Sequence, residues 1–123
     1  MSKTGNAGTS LPSACSISPI KIIALASRLP GDPVGRHISN QMVRAGTSVG
    51  AHYEEARGAE SRADFVHKLG VALKECREAR YWLRVVHRAK MIPDDLPGAL
   101  ILKANELCAI LGQCILTAKS RQD

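Results

Sequence analysis

Apolar residues in this chain recur at intervals of three and four rather than two, the spacing that lines up side chains along one face of an α-helix. Ile20, Ile22, Ile23, Leu25, Ala26 and Leu29 make such a face in a first segment; Ser18 and Pro19 open it as N-cap and first helical residue, and Pro30 closes it. The spacing predicts a helix over 19–29. After a turn at Pro30-Gly31-Asp32-Pro33, the residues Ile38, Met42, Ala45, Val49, Tyr53 and Ala56 carry a second helix over 35–57, with Gly58 as its stop. Ser61 is placed to cap a third, with Asp64 as the reciprocal carboxylate, and Phe65, Leu69, Ala72, Cys76, Ala79, Leu83 and Val86 extend the period over 62–90. Pro93-Asp94-Asp95 turns the chain again. From Pro97 onward Leu100, Ala104, Leu107, Leu111, Cys114 and Ala118 share one face of a fourth helix. Four helices with short connections predict an all-α fold, an antiparallel up-down four-helix bundle over 17–123. Residues 1–16, rich in Ser, Thr, Gly and Asn, are expected to form a disordered tail.

Composition narrows this picture without changing it. A chain of 123 residues with 45% apolar content supports one modest core. Its only aromatics are Tyr53, Phe65, Tyr81 and Trp82, so that core is built of Leu, Ile, Val and Ala, which suits helix packing better than a pleated sheet. Apolar patches are separated by charged residues and stop short of the ~18 needed to span a bilayer, so no membrane partner is expected. Cys15, Cys76, Cys108 and Cys114 contain no CxxC pair, and the last three fall on apolar helix positions; they read as thiols in a reducing cytoplasm. Pro12-Ser13-Ala14-Cys15 and Ala24-Leu25-Ala26 mimic export signals, but neither follows an uninterrupted hydrophobic region.

Two internal glycines need a reason, because each costs up to ~1 kcal/mol in a helix relative to alanine. Gly46 and Gly50 lie in a run of small side chains, Ala45-Gly46-Thr47-Ser48-Val49-Gly50-Ala51, and the expectation is a close approach by a neighbouring helix at both. Thr47 and Ser48 would then bond a backbone carbonyl or the adjacent helix.

Charge points to a class of partner. Lys and Arg outnumber Asp and Glu by 17 to 11, a net charge of +6. The third helix concentrates it: Lys74, Arg77, Arg80, Arg84 and Arg88 fall within about 120° of arc, roughly opposite the core stripe. One reading is a solvated face with pairs such as Glu78 near Lys74; the other is contact with DNA or RNA through phosphates, without a stacking platform beyond Tyr81. Val66, Leu73 and Tyr81 share that arc and Trp82 and Val85 flank it, which suggests a second apolar face and self-association. Catalysis and metal binding fare worse. A di-iron bundle needs two Glu-x-x-His helices and two further glutamates, whereas this chain offers Asp64-x-x-His67 and a reversed His52-x-x-Glu55. No triad, phosphate loop or carboxylate pair can be assembled, so neither enzyme activity nor a cofactor or metal is expected.

Residues 41–92 carry a pair of motifs. The stretch from Gln41 to Ala51 with Tyr53-Glu54-Glu55-Ala56, followed by Phe65, Lys68-Leu69, Ala72-Leu73-Lys74-Glu75, Glu78 and Tyr81-Trp82-Leu83, resembles the bacterial four-helix-bundle proteins first noticed in intervening sequences of 23S ribosomal RNA genes. His52 departs from that pattern, where the family usually shows asparagine. The resemblance implies a homopentamer, and extends to the accessory proteins of diversity-generating retroelements, which bind nucleic acid and a reverse transcriptase. By position it marks Gln41, Arg44, Ser48, Glu55 and Glu75 as interhelical or intersubunit polar contacts. Two functions follow as expectations: a non-enzymatic, cytoplasmic, oligomeric scaffold that binds nucleic acid, with a reverse transcriptase or other protein as a possible partner, or a structural protein-interaction bundle with no nucleic-acid role.

Overall fold

Four α-helices follow one another through residues 17–121, the part of the chain that the computed structural model describes: α1 Pro19–Ala26, α2 Pro33–Arg57, α3 Arg62–Arg88 and α4 Leu96–Ser120. No strand occurs among the described residues. The expected tail, 1–16, lies outside them.

Each helix starts where its capping chemistry dictates. The Ser18 hydroxyl accepts from the Lys21 amide at 3.3 Å, and Pro19 takes the first helical position, where no amide is needed. α2 begins two residues earlier than the hydrophobic period implies. Asp32 caps it by accepting from the Gly35 amide at 2.8 Å, and Pro33 follows as a preset first residue. At α3 the Ser61 hydroxyl accepts from the Asp64 amide at 3.0 Å; the Asp64 carboxylate reaches back past the cap to the Glu60 amide at 3.4 Å.

The ends are tighter than the apolar pattern suggests. α1 stops at Ala26, short of the expected Leu29: the Ser27 hydroxyl donates to the Ala24 carbonyl, and Leu29, buried, closes a turn onto the Ala26 carbonyl. α3 stops at Arg88, not residue 90. Lys90 takes a left-handed conformation (φ 55°), so its amide bonds the His87 carbonyl at 3.1 Å and the Met91 amide bonds the Val86 carbonyl at 3.2 Å. That is the Schellman termination, with lysine where glycine is usual.

Neighbouring helices run antiparallel. Arg44 of α2 meets Glu75 and Glu78 of α3, and Cys76 of α3 meets Cys108 of α4, each pair set at similar distances from the turn between its helices. α3 is central, with long seams to both α2 and α4, while the 8-residue α1 lies against α2. The core is the one the period marks: Ile38, Met42, Ala45, Val49, Tyr53 and Ala56 on α2, Leu69, Ala72, Cys76, Ala79, Leu83 and Val86 on α3, and Leu100, Ala104, Leu107 and Leu111 on α4 are all buried. Phe65 is only half-buried against it, and no residue of 112–121 is buried.

The second apolar face expected on α3 is reduced. Leu73, Trp82 and Val85 are half-buried against the core, because α2 and α4 wrap further round α3 than a single stripe requires; Tyr81 stays exposed. Other exposed large apolar side chains lie on α1 (Ile20, Ile23), at the start of α2 (Val34) and on α4 (Leu102, Leu116). By length and composition α4 is also apolar enough to cross a membrane, which the reading of separated patches had excluded. Its Lys103 and Glu106, paired at 4.0 Å, stand in its first half, and its buried residues face α3.

Candidate nucleic-acid interface

The basic ridge is a consequence of how α3 is gripped. α2 holds the flank carrying Glu75, Glu78 and Trp82, and α4 holds the flank carrying Cys76 and Arg80, so the arc between them points outward. Lys74, Arg77, Arg84 and Arg88 are exposed there, and none of the four has an ion-pair partner among the described residues. Arg80 stands apart. It lies at the α4 edge of the arc, is half-buried, and donates from Nη1 to Asn105 Oδ1 at 3.2 Å. The exposed ridge therefore has four cations rather than five, with Tyr81 beside them as its one exposed aromatic.

The polar residues marked by resemblance divide. Gln41, Arg44 and Glu75 meet across the α2–α3 seam: the Arg44 guanidinium donates to Glu75 Oε1 at 3.2 Å and to Gln41 Oε1 at 3.3 Å. Glu78 completes the group by accepting from the same guanidinium, and Trp82 Nε1 donates to it at 3.4 Å. Sequence reasoning left Glu78 beside Lys74 on its own helix. The available signal was its spacing of three from Glu75, which puts both carboxylates on one face. Within the single chain the polar partners of Ser48 and Glu55 lie inside α2: Ser48 donates to the Arg44 carbonyl at 2.6 Å, and Glu55 lies 3.5 Å from His52 Nδ1. Thr47 likewise back-bonds the Val43 carbonyl at 2.7 Å.

The two glycines also divide. A Cβ on Gly46 would stand 2.9 Å from Cγ2 of the fully buried Ile22, so α1 approaches here as expected. At Gly50 no helix of the same chain comes close: the residue is exposed and a Cβ would meet nothing within 4 Å. It lines an open groove of ≈ 520 Å³ with Ile17, Pro19, Val49, Tyr53 and Leu107. Gly35 is the glycine that sequence reasoning missed. A Cβ there would sit 1.9 Å from the Pro30 carbonyl oxygen.

Among the described residues no group of three or more His, Cys, Asp or Glu could hold a metal ion. Titration is perturbed at few points. Arg28, hydrogen-bonded at 2.8 Å, holds Asp94 below the usual carboxylate range, and the Leu96 amide reinforces it. Burial pushes the half-buried Cys114 thiol up.

The molecule is thus a small, basic, all-helical protein whose charge is displayed on its central helix. Residues 19–113 match the family described as 23S rRNA-intervening sequence protein, and the chain belongs to that family. It is similar in structure to a protein of unknown function from the S23 ribosomal protein family of Bacteroides thetaiotaomicron, with 35% identity, coverage of 79% of this chain and 90% of that one, and a TM-score of 0.72. No curated protein matches it.

Proposed function

We propose that this chain is a non-enzymatic, self-associating protein that binds nucleic acid through phosphates along α3. The observation that supports the reading is the row of exposed cations Lys74, Arg77, Arg84 and Arg88, which lacks carboxylate partners among the described residues although Glu75 and Glu78 stand on the same helix. Those two glutamates are occupied by Arg44, which leaves the ridge uncompensated. Cations without a stacking platform bind polyphosphate with little sequence preference.

Self-association is carried by a different surface. Leu102, Ala109 and Leu116 recur at seven-residue spacing as one exposed stripe on α4, and Ile20 and Ile23 are exposed on α1. Unpartnered apolar stripes of this kind are covered in an assembly. A pentamer is the state the family resemblance implies; repeating the ridge in it would multiply weak phosphate contacts. In this reading α4 is an assembly helix rather than a membrane span.

Fluorescence anisotropy with unrelated single- and double-stranded oligonucleotides tests the proposal, alongside light scattering for the mass. The logarithm of affinity should fall with the logarithm of salt by roughly 0.7–0.9 per phosphate contact. Changing Arg77, Arg84 and Arg88 together to glutamine should weaken every sequence alike and flatten that slope, with the helical signal unchanged. No binding at low salt by the wild type would leave the protein-interaction reading in its place, and a monomer mass at micromolar concentration would remove the assembly.

A further inference from the structure

The α3–α4 seam contains a pair of thiols that neither the ridge nor the assembly uses. Cys76 and Cys108 project from facing helices, with their sulfurs 3.2 Å apart. Cys76 is fully buried; Cys108 is at the rim of the seam, 9% exposed. Cys114, the other cysteine among the described residues, lies further along α4 and bonds to neither.

We propose that Cys76 and Cys108 are a reversible oxidation site, closing to a disulfide that ties α3 to α4 when the protein meets a peroxide. The geometry is favourable because two thiols already in contact need a movement of only about 1.2 Å to reach the ~2.0 Å of a sulfur–sulfur bond. The roles of the two differ. Cys108 is the more reachable, and its thiol is lowered to about 7 by its hydrogen bond with Cys76, with Arg80, Arg77 and Arg84 adding to the effect against the opposing cost of burial. The same shared proton and deeper burial push Cys76 up. Thiolate character selects the site that peroxide attacks.

The chemistry balances in two steps. The Cys108 thiolate attacks one peroxide oxygen; the O–O bond breaks, Cys108 becomes a sulfenic acid, and hydroxide leaves. Cys76 sulfur then attacks the Cys108 sulfur; the S–S bond forms, the S–O bond breaks, and the departing hydroxide takes the Cys76 proton as water. Two electrons pass from the sulfur pair to hydrogen peroxide, the oxidant. A dithiol reductant reverses the result.

The test is made on the full chain treated with hydrogen peroxide. Thiols counted in denaturant should fall from the four of the sequence to two, the mass should drop by two hydrogens, and Tm should shift upward until dithiothreitol returns it. Mapping should join the peptides of Cys76 and Cys108, and the bond should persist in Cys114→Ser, which separates the two α4 cysteines. In Cys76→Ser, Cys108 should stop as a sulfenic acid that dimedone traps; because this reads the thiol directly, it remains informative if that variant is less stable. Retention of both thiols after Cys114 has been oxidised would overturn the proposal. So would a bond running to Cys15, to Cys114 or to a second copy.

Discussion

The two flanks of α2 are held by unlike means. On the α1 side the contact is steric: Gly46 admits Ile22, Gly35 admits the Pro30 carbonyl, and the Ser39 hydroxyl donates to the Ala26 carbonyl. On the α3 side an apolar seam is edged by charge, with Arg44 gripping Glu75 and Glu78. Length explains the difference. An 8-residue helix is too short to be stable alone and presents few side chains, so it gains contact by coming close, which requires glycine on its partner. A long helix such as α3 buries a full stripe and leaves its margins for ion pairs. Closeness, then, is a substitute for length.

The steric flank should be the more brittle. Gly46→Val forces a branched side chain onto the buried Ile22, and overpacking of this kind costs about 2 kcal/mol or more. Thermal unfolding followed by circular dichroism should show Tm lower by roughly 10 °C. An unchanged Tm would mean that α1 yields, and that the seam is not held by closeness.

Breaking the charged flank should cost less. Arg44→Met keeps the aliphatic stem but leaves Glu75 and Glu78 facing each other, with Glu75 only 16% exposed at its side chain. A loss of about 1 kcal/mol is expected in urea denaturation at low ionic strength, and it should shrink in high salt, which screens the charges. A salt-independent loss would assign the effect to packing of the stem.

The smallest effect, with the opposite sign, belongs to Gly50. With open space around it, Gly50→Ala should raise stability by up to ~1 kcal/mol, the ordinary helix preference of alanine. If light scattering instead shows a smaller assembly, a second copy packs at Gly50, and the contrast with Gly46 is between subunits rather than between contact and solvent.

Much of this arrangement is legible in the residues themselves. The helices and the buried stripe follow from a three-to-four-residue period, because periodicity and capping are local: Ser18, Ser61 and the prolines act within one turn of where they stand. The family was legible for a similar reason, since its two motifs lie on consecutive helices. The ridge on α3 could be placed by angle alone, but its membership could not. Arg80 left it because α4 passes on that side.

The sequence by itself determined which residues form helices, which face of each is apolar and where the positive charge gathers. Only the tertiary structure decided that Glu78 serves Arg44 rather than Lys74, that Gly46 is packed and Gly50 open, and that Cys76 meets Cys108. These depend on where neighbouring helices end and how they are rotated, and such quantities are fixed by the packing of the whole core. The same one-turn spacing along a helix can therefore lead to a partner helix at one position and to solvent at the next.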